Sequence, residues 1–291
     1  FLGETILAGI KKKVYTGEKY EEIKSCLMSI DDTTTMRASC SGPIDIEDRG
    51  WKEIGKDDDD KLIYEDGDGQ KYQLRTDNSF FVLGKGDKQR GVAQANSIHS
   101  VMIGFKRGRL TGKMSESNWS IANRDRNDIL CQIPEINDVA YKEIAPDEYN
   151  FQKSYAENGI LPEHRISGGI HTTLSANKYS SDGSQKMSYH IDSGDLDGGL
   201  TTIATFIEGD VKTYFVLPRY GVAIARGDGD VFIGDSGQVH GVIDIEGEGI
   251  SMNCVSYCDT RLASQDNKGK PEKLIGASGR NTRSTIEGFY V

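Results

Sequence analysis

The stretch that decides the fold is residues 166–257, which contains eight short runs rich in β-branched and aromatic residues. The runs are GGIHTTLSA (168–176), KMSYHID (186–192), LTTIATFI (200–207), KTYFVLP (212–218), GVAIA (221–225), DVFIG (230–234), HGVIDI (240–245) and ISMNCVSY (250–257). Turn signals separate these runs about every ten residues, as in a sandwich or a double-sheet jelly roll. We therefore predict a mainly β (α+β) fold with a double-stranded β-helix (jelly-roll) core and flanking helices.

Helical and further β-rich segments precede this core. Residues 16–30 read as an amphipathic helix that has Tyr20, Ile23, Leu27 and Ile30 on one face and Thr16 as its N-cap. Residues 136–155 predict a helix broken at a proline, and residues 71–105 predict strands and hairpins. The acidic strings KDDDDK (56–61) and DGDG (66–69) predict solvated loops or hairpin tips, because the EF-hand spacing of a calcium loop is absent.

Composition narrows the class of protein. The chain has 291 residues, of which 36% are hydrophobic and 27% charged, so it can build a core. No apolar run approaches the roughly 18 residues of a membrane span, so we expect no membrane partner. The net charge of -10 excludes a globally basic nucleic-acid coat protein. The five cysteines form no CxxC pair, so we expect reduced thiols in an intracellular protein, nuclear if the source is eukaryotic.

Two histidines and an aspartate form the strongest chemical signal. His190 and Asp192 lie two residues apart in a predicted strand, so they should project to the same face. His240 follows a later predicted strand and completes a two-histidine, one-carboxylate set, which leaves open positions on Fe(II) for a cosubstrate and O2. A chance HxD pair and structural core histidines would give the same residues. The β-rich lead, the four strand-like runs between the histidines and the GD…HG ending favour a metal centre.

At these residues the sequence resembles the TET/JBP family of Fe(II) oxygenases, which oxidise thymine or 5-methylcytosine in DNA. The resemblance covers roughly residues 172–259 and is carried by 175–199 and 216–242, with a weaker extension into the N-terminal half. It implies that Asp195 has a catalytic role, facing the base or the cosubstrate. It also implies that Tyr257 stacks on a flipped base and that Asp259 and Asn96 contact the base; for Asp259 and Asn96 a turn or cap role is the alternative.

One departure from the family concerns the cosubstrate. The family has an arginine ten or eleven residues after the distal histidine, which clamps the far carboxylate of 2-oxoglutarate, but here that position is Ser251. A second basic position of the family, five residues before His190, is Gln185. We expect Arg226 to replace the clamp, with Lys212 and Arg219 as further candidates. The missing arginine also resembles an algal branch that uses ascorbate (vitamin C), transfers a glyceryl group to 5-methylcytosine and needs an aspartate at the position of Asp195.

Basic residues are concentrated in one part of this acidic chain. Residues 85–126 contain nine lysines and arginines against three acidic residues, in Gly-flanked segments suited to phosphate contacts. A solvated face balanced by the DDDD string is the alternative. The candidate nucleic-acid contacts are Lys85, Lys88, Arg90, Lys106, Arg107 and Arg109.

The sequence thus predicts an Fe(II)-dependent dioxygenase that flips a pyrimidine out of DNA and modifies its 5-methyl group, with 2-oxoglutarate or ascorbate and O2. A protein or small-molecule hydroxylase and a metal-free binding module are the alternatives. We expect one domain over 1–291, with helices, hairpins and basic loops in 1–165, the iron core in 166–260 and a polar tail in 261–291. The oligomeric state stays open.

Overall fold

Two antiparallel sheets face each other in the computed structural model of the chain. The structure describes residues 7–31, 36–40, 46–47, 49–75, 80–93, 96–107, 114–180, 187–192, 194–260 and 262. The larger sheet has the order β1, β15, β12, β17, β10, β8, β2, with β9 paired to β8. Its strands are β1 (Leu7–Lys11), β2 (Met36–Cys40), β8 (Asn96–Arg107), β9 (Met114–Glu116), β10 (Thr173–Ser180), β12 (Thr201–Gly209), β15 (Val231–Gly234) and β17 (Gly249–Tyr257).

The smaller facing sheet has the order β11, β16, β13, β14. Its strands are β11 (Met187–His190), β13 (Lys212–Leu217), β14 (Val222–Ala225) and β16 (His240–Glu246). Each of the eight predicted runs contains one of the strands from β10 to β17, and the chain crosses repeatedly between the two sheets. This is a double-stranded β-helix, so the predicted fold class is confirmed.

Alternation along the strands gives the larger sheet two different faces. In β10, Leu174 and Ala176 are buried against the helical side, while Ser175, Asn177 and Tyr179 point between the sheets. A second apolar cluster joins the two sheets and consists of Ile203, Phe215, Leu217, Ile224 and Phe232. The space between the sheets is therefore partly packed core and partly cavity.

Helices cover the outer face of the larger sheet. They are α1 (Gly17–Met28), α2 (Asn118–Ala122), α3 (Arg124–Leu130), α4 (Gln132–Ile144) and α5 (Pro146–Gly159). The predicted face of α1 is confirmed, because Ile23 and Leu27 are fully buried. The predicted break at Pro146 is also confirmed. Thr16 occupies the N-cap position as predicted, and its side chain makes no capping hydrogen bond. In the part of the chain that is described, no helix has the length and apolar character needed to cross a membrane.

A third sheet lies between β2 and β8 in the sequence. It has five strands, β3 (Lys52–Lys56), β4 (Leu62–Glu65), β5 (Lys71–Leu74), β6 (Phe80–Leu83) and β7 (Gln89–Val92). Its own apolar cluster contains Tyr64 and Phe80, with Trp51 stacked on Tyr72. Cys40 and Asn96 are register partners in the main sheet, so residues 41–95 leave and re-enter that sheet at one strand pair.

The acidic strings form the hairpin turns of this third sheet. Asp57 accepts hydrogen bonds from the backbone N–H groups of Asp59 and Lys61, at 3.0 and 2.8 Å. Asp66 accepts hydrogen bonds from the backbone N–H groups of Asp68 and Gln70, at 3.0 and 2.9 Å. Such side-chain turns explain the aspartates as structural residues. The prediction of hairpin tips is confirmed.

Candidate metal centre

His190 and His240 lie side by side because they are register partners at the junction of β11 and β16. Their ring centroids are 4.4 Å apart. The Asp192 carboxylate reaches both rings, with Oδ1 3.5 Å from His190 Nε2 and Oδ2 3.6 Å from His240 Nε2. One ligand atom from each residue lies within 4.8 Å of the other two, so these three residues could hold one ion. We call them the three-residue cluster.

The route by which Asp192 reaches the cluster differs from the sequence expectation. Strand β11 ends at His190, so the prediction that Asp192 projects from the same strand is wrong. Its backbone N–H instead donates to the carbonyl oxygen of Ser236 at 3.1 Å. A contact between two loops therefore positions the Asp192 carboxylate. The three residues come together as predicted, but strand alternation is not the reason.

The environment of His240 suits a metal ligand. Its Nδ1 lies 2.8 Å from the Gln238 carbonyl oxygen, which favours a proton on Nδ1 and a lone pair on Nε2 facing Asp192. Burial, followed by the charge of His190, lowers the pKa of His240 to about 4. The imidazole is thus neutral at physiological pH, which is the form that binds a metal. Phe215 stacks against the same ring, with centroids 5.0 Å apart.

The cluster opens into a cavity of about 350 Å³ between the two sheets. Strand registers place His190, His240 and Tyr257 at one end of the sheets, which we call the cluster end, and Arg226 at the other. The Asp192 side chain is 35% exposed and Arg226 is 3% exposed, so the cavity is open at the cluster end and closed at the other. The wall between them is largely apolar and includes Ile203, Phe232 and Val255.

The closed end of the cavity holds a buried cation that has a ring contact, with Arg226 Cζ 5.8 Å from the Phe215 ring centroid, but no hydrogen-bond partner in the described part of the chain. None of the three guanidinium nitrogens of Arg226 has a hydrogen-bond partner among the described residues. Burial lowers the pKa of Arg226 to about 10, so the side chain stays charged at neutral pH. Asn253 also lines the cavity, and its Nδ2 is buried with no hydrogen-bond partner among the residues that the structure describes. A buried charge normally needs a partner, so this end suits a ligand carboxylate.

The other predicted cosubstrate residues are not part of the described cavity wall. By strand alternation, Ser251 faces the same side of β17 as Asn253. It is not one of the described residues that line the cavity. Its hydroxyl is buried without a partner in the described structure. Gln185 lies outside the described residues. Lys212 and Arg219 are exposed, so Arg226 is the one of the three candidate clamp residues that lines the cavity.

Asp195 sits next to the cluster in a network of hydroxyl groups. Its Oδ2 accepts hydrogen bonds from Ser236 Oγ and from Thr201 Oγ1, the latter at 2.9 Å. Burial, and then the charge of Asp192, raise the pKa of Asp195. Ser236 therefore contacts both residues: its side chain donates to the Asp195 carboxyl group, and its carbonyl oxygen accepts from the backbone N–H of Asp192.

The predicted base-contacting residues are only partly brought together. Tyr257 lines the cavity at the cluster end, where burial raises its pKa. Asp259 forms an isolated β-bridge with Asp195, but it is buried and is not among the described lining residues. The backbone of Asn96 begins β8 at the end of the sheet opposite to the cluster, since Gly104 pairs with Thr173 near the cluster end. The side chain of Asn96 lies outside the described residues.

The basic residues divide between two places. Lys85, Lys88 and Arg90 are exposed around the β6–β7 hairpin of the third sheet. Lys106 is half-buried near the end of β8, at the cluster end. The side chain of Arg107 and all of Arg109 lie outside the described residues.

Sequence reasoning missed several residues of this site. They include Asn177 and Asn253, which are register partners in the cavity floor, and Thr201 and Ser236, which bind Asp195. The available signal was the run of polar residues at every second position of apolar strands, as in Ser175-Asn177-Tyr179. Such residues on a buried face indicate a polar cavity.

Together, the fold and the cluster define a double-stranded β-helix protein with a candidate metal centre. No family model matches the chain. It is 30% identical over 136 residues to the bifunctional helicase and thymine dioxygenase JBP2 of Trypanosoma brucei brucei, a match over 46% of this chain and 12% of that protein. This match confirms the resemblance of the chain to the TET/JBP family. The chain thus matches only a small part of that much longer relative.

Solved structures are similar at lower identity. NgTET1 in complex with 5mC DNA is 16% identical, with a TM-score of 0.44 over 84% of this chain and 91% of that chain. OsALKBH1 is 15% identical, with a TM-score of 0.37 over 88% of this chain and 99% of that chain. A 2OG-Fe(II) oxygenase family oxidoreductase from Burkholderia pseudomallei is 11% identical, with a TM-score of 0.29 over 55% of this chain and 68% of that chain.

Proposed function

We propose that the chain is an Fe(II)-dependent dioxygenase that modifies the 5-methyl group of a pyrimidine in DNA. The observation that carries the proposal is one cavity with the His190, Asp192, His240 cluster at its open end and the unpartnered Arg226 guanidinium at its closed end. The resemblance to a thymine dioxygenase supports DNA as the substrate. Thymine and 5-methylcytosine both carry the methyl group, and the test below separates them.

His190, Asp192 and His240 would hold Fe(II), because two imidazoles and a carboxylate leave positions free for other ligands. Bound Fe(II), with O2 and a cosubstrate, supplies the oxidising chemistry that a methyl group requires. The Gln238 carbonyl fixes the orientation of His240 through Nδ1. The neutral imidazole of His240 keeps its Nε2 available without a proton having to leave first.

The cosubstrate that fits the closed end best is 2-oxoglutarate. Its far carboxylate would pair with the guanidinium of Arg226 and accept from Asn253 Nδ2, which supplies both buried donors with partners. In the family, an arginine at the position of Ser251 binds the far carboxylate of 2-oxoglutarate. Arg226, at the end of β14, would bind the same carboxylate from a different strand. Ascorbate, which lacks a carboxylate, is the alternative cosubstrate, and the experiment below distinguishes it from 2-oxoglutarate.

The open end would receive the flipped base. Tyr257 offers a ring against which the base can stack, and Asp195 offers a carboxyl group next to the cluster. Ser236 and Thr201 hold Oδ2 of Asp195, so the orientation of this carboxyl group is set before the base arrives. The apolar wall formed by Ile203 and Phe232 excludes water from the space between base and cosubstrate.

The decisive experiment is anaerobic reconstitution with Fe(II), followed by exposure to O2 and mass spectrometry of nucleosides. DNA duplexes carry either 5-methylcytosine or thymine as the only methylated base, and each is run with 2-oxoglutarate or with ascorbate alone. We expect an oxidised methyl product that needs 2-oxoglutarate, is lost in His240→Ala and in Arg226→Ala, and persists in the exposed control Lys212→Ala.

Other outcomes separate the alternatives. A larger adduct that forms with ascorbate alone would replace 2-oxoglutarate by ascorbate as the cosubstrate. Turnover of 2-oxoglutarate on a peptide or a small acid, with no change in either DNA, would make the chain a hydroxylase of another substrate. A chain that binds no Fe(II) in the titration would overturn the enzymatic proposal altogether.

A further inference from the structure

An exposed arginine and tyrosine stand at the open end of the cavity and have no role in the site described above. They are Arg219 and Tyr220, in the short 3-10 helix Pro218–Tyr220 that joins β13 to β14. Leu217 and Val222 flank this turn, and Val216 pairs with Gly241 next to His240. The turn therefore lies at the cluster end of the smaller sheet.

Hydrogen bonds tie this turn to the segment that carries the distal histidine. Tyr220 Oη and Gln238 Oε1 are 3.1 Å apart, with the hydroxyl as donor. The backbone carbonyl of Gln238 is the group that contacts His240 Nδ1. Gln238 Nε2 donates in turn to Asp235 Oδ2 at 3.0 Å. The tyrosine is thus held at a fixed place on the rim.

The chemistry of the pair suits nucleic acid. Tyr220 is 38% exposed, and the Arg219 guanidinium carbon lies 5.9 Å from its ring centroid. Arg219 makes no ion pair with any residue that the structure describes. Aromatic faces stack on bases, and an unpaired guanidinium binds phosphate or stacks on the same base. Pro218 fixes one φ angle of the turn, and Gly221 supplies the left-handed residue (φ 61) with which the turn ends.

We infer that Arg219 and Tyr220 form a nucleic-acid contact that holds the target strand at the mouth of the cavity, with Tyr220 stacking on a base next to the flipped one and Arg219 contacting the strand. This inference rests on the proposed function. It adds a contact on the smaller sheet, across the opening from Tyr257 and Lys106 on the larger sheet. The strand would therefore be held from both sides of the opening.

The test is DNA binding by fluorescence anisotropy, with the full chain loaded anaerobically with Fe(II) and 2-oxoglutarate and a labelled duplex that contains one 5-methylcytosine. We expect Tyr220→Ala to raise the Kd about 5- to 100-fold, and Tyr220→Phe, which keeps the ring, to stay near wild type. Arg219→Ala should lower the slope of log K against log salt by about one. The matched control is Lys212→Ala, an exposed cation at the opposite end of β13.

The outcomes separate this inference from the proposed function. Thermal unfolding and Fe(II) titration show whether each variant keeps its fold and its cluster. If wild type modifies DNA and Tyr220→Ala and Arg219→Ala bind it as tightly, the inference is wrong while the function stands. An equal loss of DNA affinity in Lys212→Ala would show that the effect comes from net charge alone. That result would also overturn the inference. If wild type neither binds nor modifies DNA, the proposed function fails first.

Discussion

At the scale of the residue, Arg226 makes the unliganded protein less stable than its packing would allow. A buried guanidinium with no hydrogen-bond partner in the described structure loses its hydration and gains no hydrogen bond in return. We predict that Arg226→Met raises the free energy of unfolding by about 1 to 3 kcal/mol and abolishes 2-oxoglutarate binding. Thermal unfolding with and without 2-oxoglutarate measures both effects. Arg226→Lys is the control that keeps the charge but lacks the bidentate fork.

The opposite sign would contradict this account. If Arg226→Met lowers the midpoint of unfolding, the guanidinium has partners that stabilise it in the unliganded state. If the variant keeps its stabilisation by 2-oxoglutarate, the carboxylate binds elsewhere.

Ser236 separates metal binding from catalysis, because its two contacts use different atoms. The backbone carbonyl accepts from Asp192 N–H, whereas the side chain donates to Asp195. We predict that Ser236→Ala keeps Fe(II) affinity but lowers kcat/KM on methylated DNA about 10- to 100-fold, since a hydrogen bond that orients the buried Asp195 carboxyl group is lost. Fe(II) titration measures the metal affinity, and product analysis measures kcat/KM. Ser154→Ala on the exposed side of α5 is the control. If Ser236→Ala lost Fe(II) affinity as much as it lost kcat/KM, the separation of metal binding from catalysis would be contradicted.

At the scale of the element, the close approach of β11 and β16 brings the two histidines together. A Cβ atom on Gly241 would lie 2.8 Å from the Met187 carbonyl oxygen and 3.1 Å from Tyr189 Cδ1. We predict that Gly241→Ala pushes the strands apart, lowers the free energy of unfolding by about 1 to 3 kcal/mol and weakens Fe(II) binding. Gly67→Ala, where nothing lies within 4 Å of the added atom, should leave both unchanged. Unaltered Fe(II) affinity in Gly241→Ala would show that the strand spacing tolerates the methyl group.

The same scale shows what a single sequence can predict. The eight strands were predictable because apolar alternation and turn residues are local signals. Which strands become neighbours depends on long-range pairing, which leaves no local mark. The resemblance implied that Asn96 contacts the base, whereas β8 starts at the end of the sheet far from the cluster. Arg226 was one of three basic candidates until the registers put it at the closed end of the cavity.

At the scale of the whole molecule, residues 41–95 are an insertion between two paired strand ends. Cys40 and Asn96 are register partners, and the third sheet has its own apolar cluster. We propose that 1–291 is nevertheless one functional domain, with the third sheet carrying the DNA contacts Lys85, Lys88 and Arg90. Replacing residues 41–95 by a two-residue Asn-Gly turn should leave a folded core that binds Fe(II). We predict that its DNA affinity falls and that its salt dependence becomes shallower.

Circular dichroism, Fe(II) titration and anisotropy across a salt series check this prediction. The charge-reversed full chain, with Lys85, Lys88 and Arg90 replaced by glutamate, is the matched comparison. Equal DNA affinity in all three proteins would remove the third sheet from the DNA interface.

On the proposed function, a cavity whose described residues leave it open at the cluster end imposes an order of events. Arg226 is at the closed end and the three-residue cluster is at the open end, so a base that fills the mouth blocks the path to Arg226. The small cosubstrate has to enter first and the DNA second. After turnover the spent cosubstrate could not leave past a bound base, so the modified base would have to leave the mouth before the next reaction. An enzyme built this way would have to reload with cosubstrate after every base that it modifies.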